Sequence, residues 1–312
     1  MSAAVEMIGV TKDYGRVRAV DDLSLSIPEG SLYGLIGPNG AGKTTTFALL
    51  GGFLRPTKGE IRIRGRQLLP GLPPVGQVLS LPQDAALPNH KRVLECLIFL
   101  AQLGGMSGAE ARQKSEQALK DVGLSELADR KLSQLSHGQR RRVGIAQTLV
   151  GHDEVIMLDE PTAGLDPRTA LELGQLIQSL HARRTIVLSS HNLSEVETLC
   201  THAAILSKGK LVASGTMDEI KGTGQLLLVA LGQPLSNPAA LQALATIVSV
   251  RAVNPSPDGT GIEIQCGDPN LADQVTTEVL KVLIQHGAQV KGVERGRKLE
   301  QRFLETTAPT SG

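Results

Sequence analysis

Along the first 65 positions apolar residues alternate with polar ones or gather in short runs. That spacing predicts strands at Val5–Val10, Ala19–Ile27, Ser31–Ile36 and Ile61–Arg64, parted by Pro28-Glu29-Gly30 and Lys58-Gly59. Thr45–Leu50 reads as a helix inserted into this run. A Pro/Gly-rich connection, Leu69 to Gly76, leads to an apolar strand, Gln77–Leu81, that ends at Pro82-Gln83. The spacing then turns helical over Arg92–Leu103 and Ala109–Val122, divided by Gly104-Gly105, with Ser107 as a cap. Ser136 opens a third helix, to about Val150. Val155–Leu158 is a short apolar run that suits a central parallel strand covered on both faces. Helix Pro167–His181, strand Thr185–Leu188, helix Leu193–Cys200 and strands Ala203–Leu206 and Lys210–Ala213 complete an alternating α/β region.

Past about Lys221 the texture changes. Leu226–Leu231, helix Pro238–Leu244, Val248–Val253, Ile262–Cys266, helix Asn270–His286 and Gln289–Val293 follow the order β-α-β-β-α-β, that of the ferredoxin-like split unit. A helix from Arg297 to Thr306 precedes a Pro/Ser/Gly tail. The expected division is residues 1–220, 221–306 and a loose tail at 307–312, with a helix-rich block at about 84–150. No internal repeat or low-complexity tract is visible.

Composition narrows the classes. The 312 residues carry 32 Lys plus Arg against 31 Asp plus Glu, so no overall field draws the chain to nucleic acid or anionic lipid. Trp is absent and aromatics are 2%, which argues against base-stacking platforms. Cys96, Cys200 and Cys266 share no metal or redox spacing and read as reduced buried thiols. No signal peptide is visible, and the most apolar stretches, Val93–Leu103 and Leu226–Leu231, are too short to span a bilayer. The chain is expected to be soluble by itself.

Candidate chemistry begins at Gly37-Pro38-Asn39-Gly40-Ala41-Gly42-Lys43-Thr44-Thr45, which fits G-x-x-x-x-G-K-[ST] between a strand and a helix. The glycines let successive N–H groups turn inward on phosphate oxygens, and the following helix adds its positive end. Lys43 reaches β- and γ-phosphates, and the Thr44 hydroxyl ligates Mg²⁺. Asp159-Glu160 closes an apolar strand: one carboxylate suits Mg²⁺, its neighbour the attacking water. Ser136 with Gln139 is an ordinary capping box, but a helix starting with Ser and Gly is also an anion-binding end; the pentapeptide Leu135–Gln139 alone leaves both open. His191 follows an apolar strand expected to lie beside that of Asp159. Gln83 ends a strand and carries no signal of its own. His90, His152, His181, His202 and His286 read as structural.

Taken together, residues 5 to 220 resemble the ATP-binding subunits of ABC transporters. Gly37–Thr45 is similar to that family's Walker A loop and Val155–Glu160 to its Walker B strand. Leu135–Gln139 resembles the signature Leu-Ser-Gly-Gly-Gln, with His137 in place of a glycine. Gln83 is similar to the lid glutamine, Ala163-Gly164-Leu165-Asp166 to the D-loop, His191 to the switch histidine, and Tyr14 to the aromatic that stacks on adenine. The resemblance implies a P-loop NTPase fold with an antiparallel β subdomain and a helical subdomain, followed here by the small α+β unit. It implies hydrolysis of ATP with Mg²⁺, held by Thr44, Asp159 and Gln83, with Glu160, His191 and Gln83 at the reaction. It implies two copies sharing composite sites, each joining one copy's Walker residues to the other's Ser136, Gly138 and Gln139, with Asp166 among the residues that bind the nucleotide. A separate membrane permease would dock near Gln83 and the helical block, at the cytoplasmic face of the membrane. The tail ending in Leu299-Glu-Gln-Arg-Phe-Leu304 resembles bacterial exporters of drugs, lipids or polysaccharides. Soluble relatives acting in translation or DNA repair carry a second such domain or long coiled coils, and neither is present. A GTPase is a poorer match, because no Asn-Lys-x-Asp guanine reader is found.

Overall fold

The computed structural model describes residues 2–68, 78–85, 87–151, 155–181, 184–235 and 237–307. The connection Leu69–Gly76, Gln77, His152 and the tail past residue 307 lie outside them. The chain forms two compact units that part between Ser214 and Gly215.

The first unit runs β1 (Ala3–Tyr14), β2 (Val17–Pro28), β3 (Leu32–Ile36), α1 (Lys43–Leu50), β4 (Lys58–Ile63), β5 (Arg66–Gln67), β6 (Val78–Leu81), α2 (Val93–Leu103), α3 (Gly108–Asp121), α4 (His137–Leu149), β7 (Val155–Asp159), α5 (Pro167–His181), β8 (Thr185–Ser189), α6 (Leu193–Leu199), β9 (His202–Ser207) and β10 (Lys210–Thr216). The first two strands are longer than their apolar alternation predicts. The ladder continues through register shifts near Met7/Val10 and Val10/Lys12, with Gly9 and Asp22 at positive φ, so the period-2 pattern breaks while the pairing does not.

Two sheets result. One is ordered β2-β1-β4-β5; the other is ordered β10-β9-β3-β8-β7-β6, with parallel pairing from β9 through β6. Every residue of β3 and β8 is buried, as a parallel sheet covered on both faces requires. Helix α1 touches both β2 and β7, and its Phe47, Leu49 and Leu50 join Val10, Val20, Leu35, Met157 and Val187 in one core. Each such buried side chain contributes about 1.5–3 kcal/mol, which fixes the start of α1 against the end of β3. Helices α2, α3 and α4 pack on one another. Gly144 brings α4 close to β6, since a Cβ there would lie 2.9 Å from Leu81 Cδ1.

The second unit contains α7 (Met217–Lys221), β11 (Leu226–Leu231), α8 (Pro238–Ala245), β12 (Val250–Pro255), β13 (Gly261–Cys266), α9 (Ala272–Gln285), β14 (Val290–Arg295) and α10 (Leu299–Thr307). Its sheet order, β12-β13-β11-β14 with antiparallel pairings, is that of the ferredoxin-like unit. Leu227, Val229, Leu231, Ile262 and Ile264 form its core with Leu244, Val275, Val279 and Leu283 of the helices. Strand β12 starts two residues later than its apolar pattern predicts, because Val248 is exposed and Ser249 adopts φ 71°. Likewise α9 begins only at Ala272, after a 3₁₀ turn at Pro269–Leu271 that Asp268 caps.

Candidate functional site

The turn between β3 and α1 is shaped by positions that leave no room for a side chain. A Cβ on Gly37 would sit 2.5 Å from the Leu206 carbonyl oxygen, and one on Gly42, at φ 100°, would sit 2.6 Å from that of Ala19. Gly40, also at positive φ, has open space there, and with Pro38 and Asn39 it forms the exposed crest over buried Ala41. Gly42 is the N-cap of α1 and supplies no side-chain acceptor, so the first N–H groups of the helix stay available to an anion. Lys43 Nζ bends back and donates to the carbonyls of Gly37 (2.6 Å) and Pro38 (3.3 Å). Burial pushes its pKa down, while Glu160 and then Asp159 pull it up. A cation held this way, beside uncapped N–H groups and a glycine-rich turn, fits a polyphosphate. Thr44 is exposed and Thr45 half-buried on the first turn of α1.

The strand order then sets the chemistry. Strand β8 lies between β3 and β7, pairing Leu35 with Ser189 and Ser189 with Asp159. The Ser189 hydroxyl donates to Asp159 Oδ1 and accepts the Glu160 N–H at 3.0 Å. Glu160 has φ 47°, a left-handed conformation that costs a non-glycine residue on the order of 1 kcal/mol or more. Its side chain is largely buried, and its Oε2 lies 2.7 Å from His191 Nδ1, whose ring is exposed.

A residue that sequence reasoning passed over holds this turn. Arg141, one turn into α4, donates to four carbonyls: Gln83 (2.8 Å), Asp159 (3.0 Å), Glu160 (2.6 Å) and Pro161 (2.8 Å). Burial lowers its pKa, and Asp159, Asp84 and Glu160 oppose that shift. Gln83 therefore joins the site through its backbone, while the residue itself is exposed. Glu195 is a second omission: its Oε2 accepts hydroxyls from Thr162 and Ser190, both at 2.9 Å, and so ties the segment after Glu160 to the one before His191. Its only local signal was an acidic residue in the first turn of a helix.

At the start of α4, Ser136 and Gln139 form the reciprocal capping box, Gln139 N–H to Ser136 Oγ at 3.2 Å and Ser136 N–H to Gln139 Oε1 at 3.0 Å. Gly138 is buried against α5, and His137 is exposed with its ring beside Gly164. Asp166 caps α5 through the Thr169 N–H at 3.1 Å, and its hydrogen bonds to Thr169 lower its pKa. Tyr14, at the end of β1, is exposed, with Lys12 Nζ 5.3 Å from its ring centre. Among the described residues, no hydrogen bond joins Ser136, Gly138, Gln139, Asp166 or Tyr14 to the phosphate loop. His181, His202 and His286 each take a local partner, Gln178, Thr201 and Val282.

Among the described residues no three His, Cys, Asp or Glu side chains gather as a metal cluster. Mg²⁺ bound with a nucleotide needs only one or two carboxylates, a hydroxyl and phosphate oxygens, so Thr44 and Asp159 fit it.

Fold and site together define a P-loop nucleoside triphosphatase. The ABC transporter family model matches residues 20–163. The daunorubicin/doxorubicin resistance ATP-binding protein DrrA of Streptomyces peucetius is 31% identical over 309 residues, 97% of this chain and 92% of that protein. The bacitracin transport ATP-binding protein BcrA of Bacillus licheniformis is 36% identical over 227 residues, 71% of this chain and 72% of that protein. The Nod factor export ATP-binding protein I of Paraburkholderia xenovorans is 38% identical over 216 residues, 68% of this chain and 71% of that one. Among solved structures, a dimeric ATP-binding cassette in a post-hydrolysis state with ADP and phosphate covers 68% of this chain and 98% of its own, at TM-score 0.60 and 27% identity. This chain belongs to the ABC transporter family and is one of its ATP-binding, ATP-hydrolysing subunits. No helix among the described residues is long and apolar enough to cross a membrane.

Proposed function

We propose that two copies of this chain bind two ATP molecules between them and couple hydrolysis to export through a separate membrane permease. The observation that carries the hydrolytic half is the Glu160–His191 pair at the ends of adjacent strands beside the phosphate loop. Glu160 orients and deprotonates the attacking water, and His191 holds that carboxylate and the γ-phosphate edge in register. Lys43 and the N–H groups of α1 neutralise charge on the transferring phosphoryl group. Mg²⁺, held by Thr44 and Asp159 with Gln83 at the rim, supplies further charge neutralisation when bound.

The dimer rests on where Ser136, Gly138 and Gln139 lie: at the N-terminal end of α4, which suits an anion, with no hydrogen bond to their own phosphate loop among the described residues. Supplied in trans, they make turnover depend on closure; Asp166 contributes to the nucleotide site, and Tyr14 stacks on adenine. Arg141 links α4 and Gln83 to Glu160 in one chain, which supports coupling to a permease docked near Gln83 at the cytoplasmic face of the membrane. The name of the Nod factor export protein supports export as the direction, and the drug resistance in DrrA's name agrees with it.

The test is Glu160→Gln with Ser136→Arg as its companion. The first keeps ATP binding, nearly abolishes turnover and accumulates an ATP-dependent dimer in sedimentation velocity. The second blocks turnover without weakening ATP binding by the monomer. ATPase activity per chain that stays constant on dilution below dimerisation sinks the composite site. Recovery in membranes only when a permease is co-expressed tests the coupling.

A further inference from the structure

In the second unit, a cavity of about 300 Å³ opens among Lys221, Arg251, Glu263, Gln265, Arg297 and Arg302. Four of these side chains are cationic and one is a carboxylate. Glu305 adds a second carboxylate nearby, in contact with Arg297 and 3.5 Å from Arg302. The chain as a whole carries a net charge of only +1, so this excess of cations is local rather than a share of general basicity.

The cations differ in how far they are committed. Arg297 is fixed by Glu263 at 2.7 Å and by Glu305, and those carboxylates raise its pKa. It forms a rigid wall. Arg302 shares only the longer contact to Glu305. Arg251 is exposed and has no ion-pair partner among the described residues. Its guanidinium lies over Gly267, where a Cβ would meet Nε at 3.0 Å, so the glycine gives it room. Gln225 and Gln265 add exposed amides to the same wall. A guanidinium presents paired donors that match carboxylate and phosphate oxygens, and 300 Å³ suits a small molecule rather than a protein segment.

We propose that this cavity binds a small multivalent anion, either a phosphate ester or a di- or tricarboxylate. Arg251 and Arg302 ligate it, and Arg297 sets the back of the site. The site is independent of the ATP reading, since none of its residues belongs to the phosphate loop or the Glu160 cluster.

The chain has no tryptophan, so Gln265→Trp places a single fluorescent reporter on the cavity wall. The full-length variant, with excess ADP to fill the phosphate loop, is titrated separately with citrate and with inorganic pyrophosphate. At least one probe is expected to give a saturable emission change that weakens with added NaCl. Arg251→Glu or Arg302→Glu weakens it about tenfold while far-UV circular dichroism stays unchanged. Binding of citrate alone assigns carboxylates, of pyrophosphate alone phosphate esters, and of both the shared chemistry. No saturable change with either probe, or a dissociation constant that Arg251→Glu leaves unaltered, overturns the site.

Discussion

His191 Nδ1 and Glu160 Oε2 lie 2.7 Å apart, although the two residues are 31 positions apart in the chain. His191 lies two residues past β8 and Glu160 one past β7, and the parallel register of those buried strands is what makes them meet. The contact joins a largely buried carboxylate to an exposed imidazole.

His191→Ala is therefore expected to lower kcat by about a hundredfold or more, the range of a positioned acid–base partner, with little change in ATP affinity. Phosphate release under saturating ATP, set beside equilibrium ATP binding, separates the two quantities. His191→Gln keeps a hydrogen-bond donor and should recover part of the loss. A kcat unchanged in His191→Ala reassigns the ring to the surface.

Arg141 makes a different prediction, because it acts through backbone rather than through substrate. Its four carbonyl acceptors include that of Glu160, whose backbone is strained, and that of Gln83. Arg141→Met removes the donors from a half-buried site and is expected to cost about 1–3 kcal/mol in chemical denaturation. Arg141→Lys restores only a fraction, since a point cation cannot span four acceptors. Because Glu160 is misplaced, kcat falls further than ATP affinity in both variants. Equal losses of the two would make Arg141 a stability residue only.

How legible these features were depended on whether a residue's role is local. Ser107, Ser136 and the strand ending in Asp159 declare themselves because cap and strand constraints act on neighbours in sequence, while Gly37 and Gly42 show through the loop motif although the carbonyls that exclude a Cβ there belong to distant Leu206 and Ala19. Arg141 does not. It is the middle of three consecutive arginines, and only the fold separates them: Arg140 turns back to the Leu135 carbonyl, Arg142 reaches Val122 and Glu172, and Arg141 turns inward to Glu160. Glu195 was hidden for the same reason, its partners Thr162 and Ser190 being set by strand order. The bulged length of β1 and β2 was hidden because irregular pairing erases alternation without ending the ladder.

Gly138 shows that a residue of the signature segment is also a packing position. A Cβ there would lie 2.6 Å from Thr169 Cγ2, within the contact of α4 with α5. Gly138→Ala is expected to destabilise the first unit by about 1–3 kcal/mol, the usual cost of overpacking. Thr169→Ser removes the obstructing methyl, so the double variant should regain most of that loss in thermal unfolding. A double variant no more stable than Gly138→Ala alone would mean that the clash is relieved by other shifts.

Tyr14 is 46% exposed, and the Lys12 ammonium lies 5.3 Å from its ring centre. Little core packing is lost if the ring is removed, so stability should barely change. If the ring instead stacks on the adenine, that contact is worth on the order of 1–3 kcal/mol, and Tyr14→Ala raises the ATP dissociation constant roughly five- to a hundredfold. Tyr14→Phe keeps a stacking face and should bind close to the parent. The comparison that decides it is ATP against inorganic triphosphate: only the ligand carrying a base should lose affinity. Equal weakening of both would place Tyr14 in the shape of the loop rather than on the base.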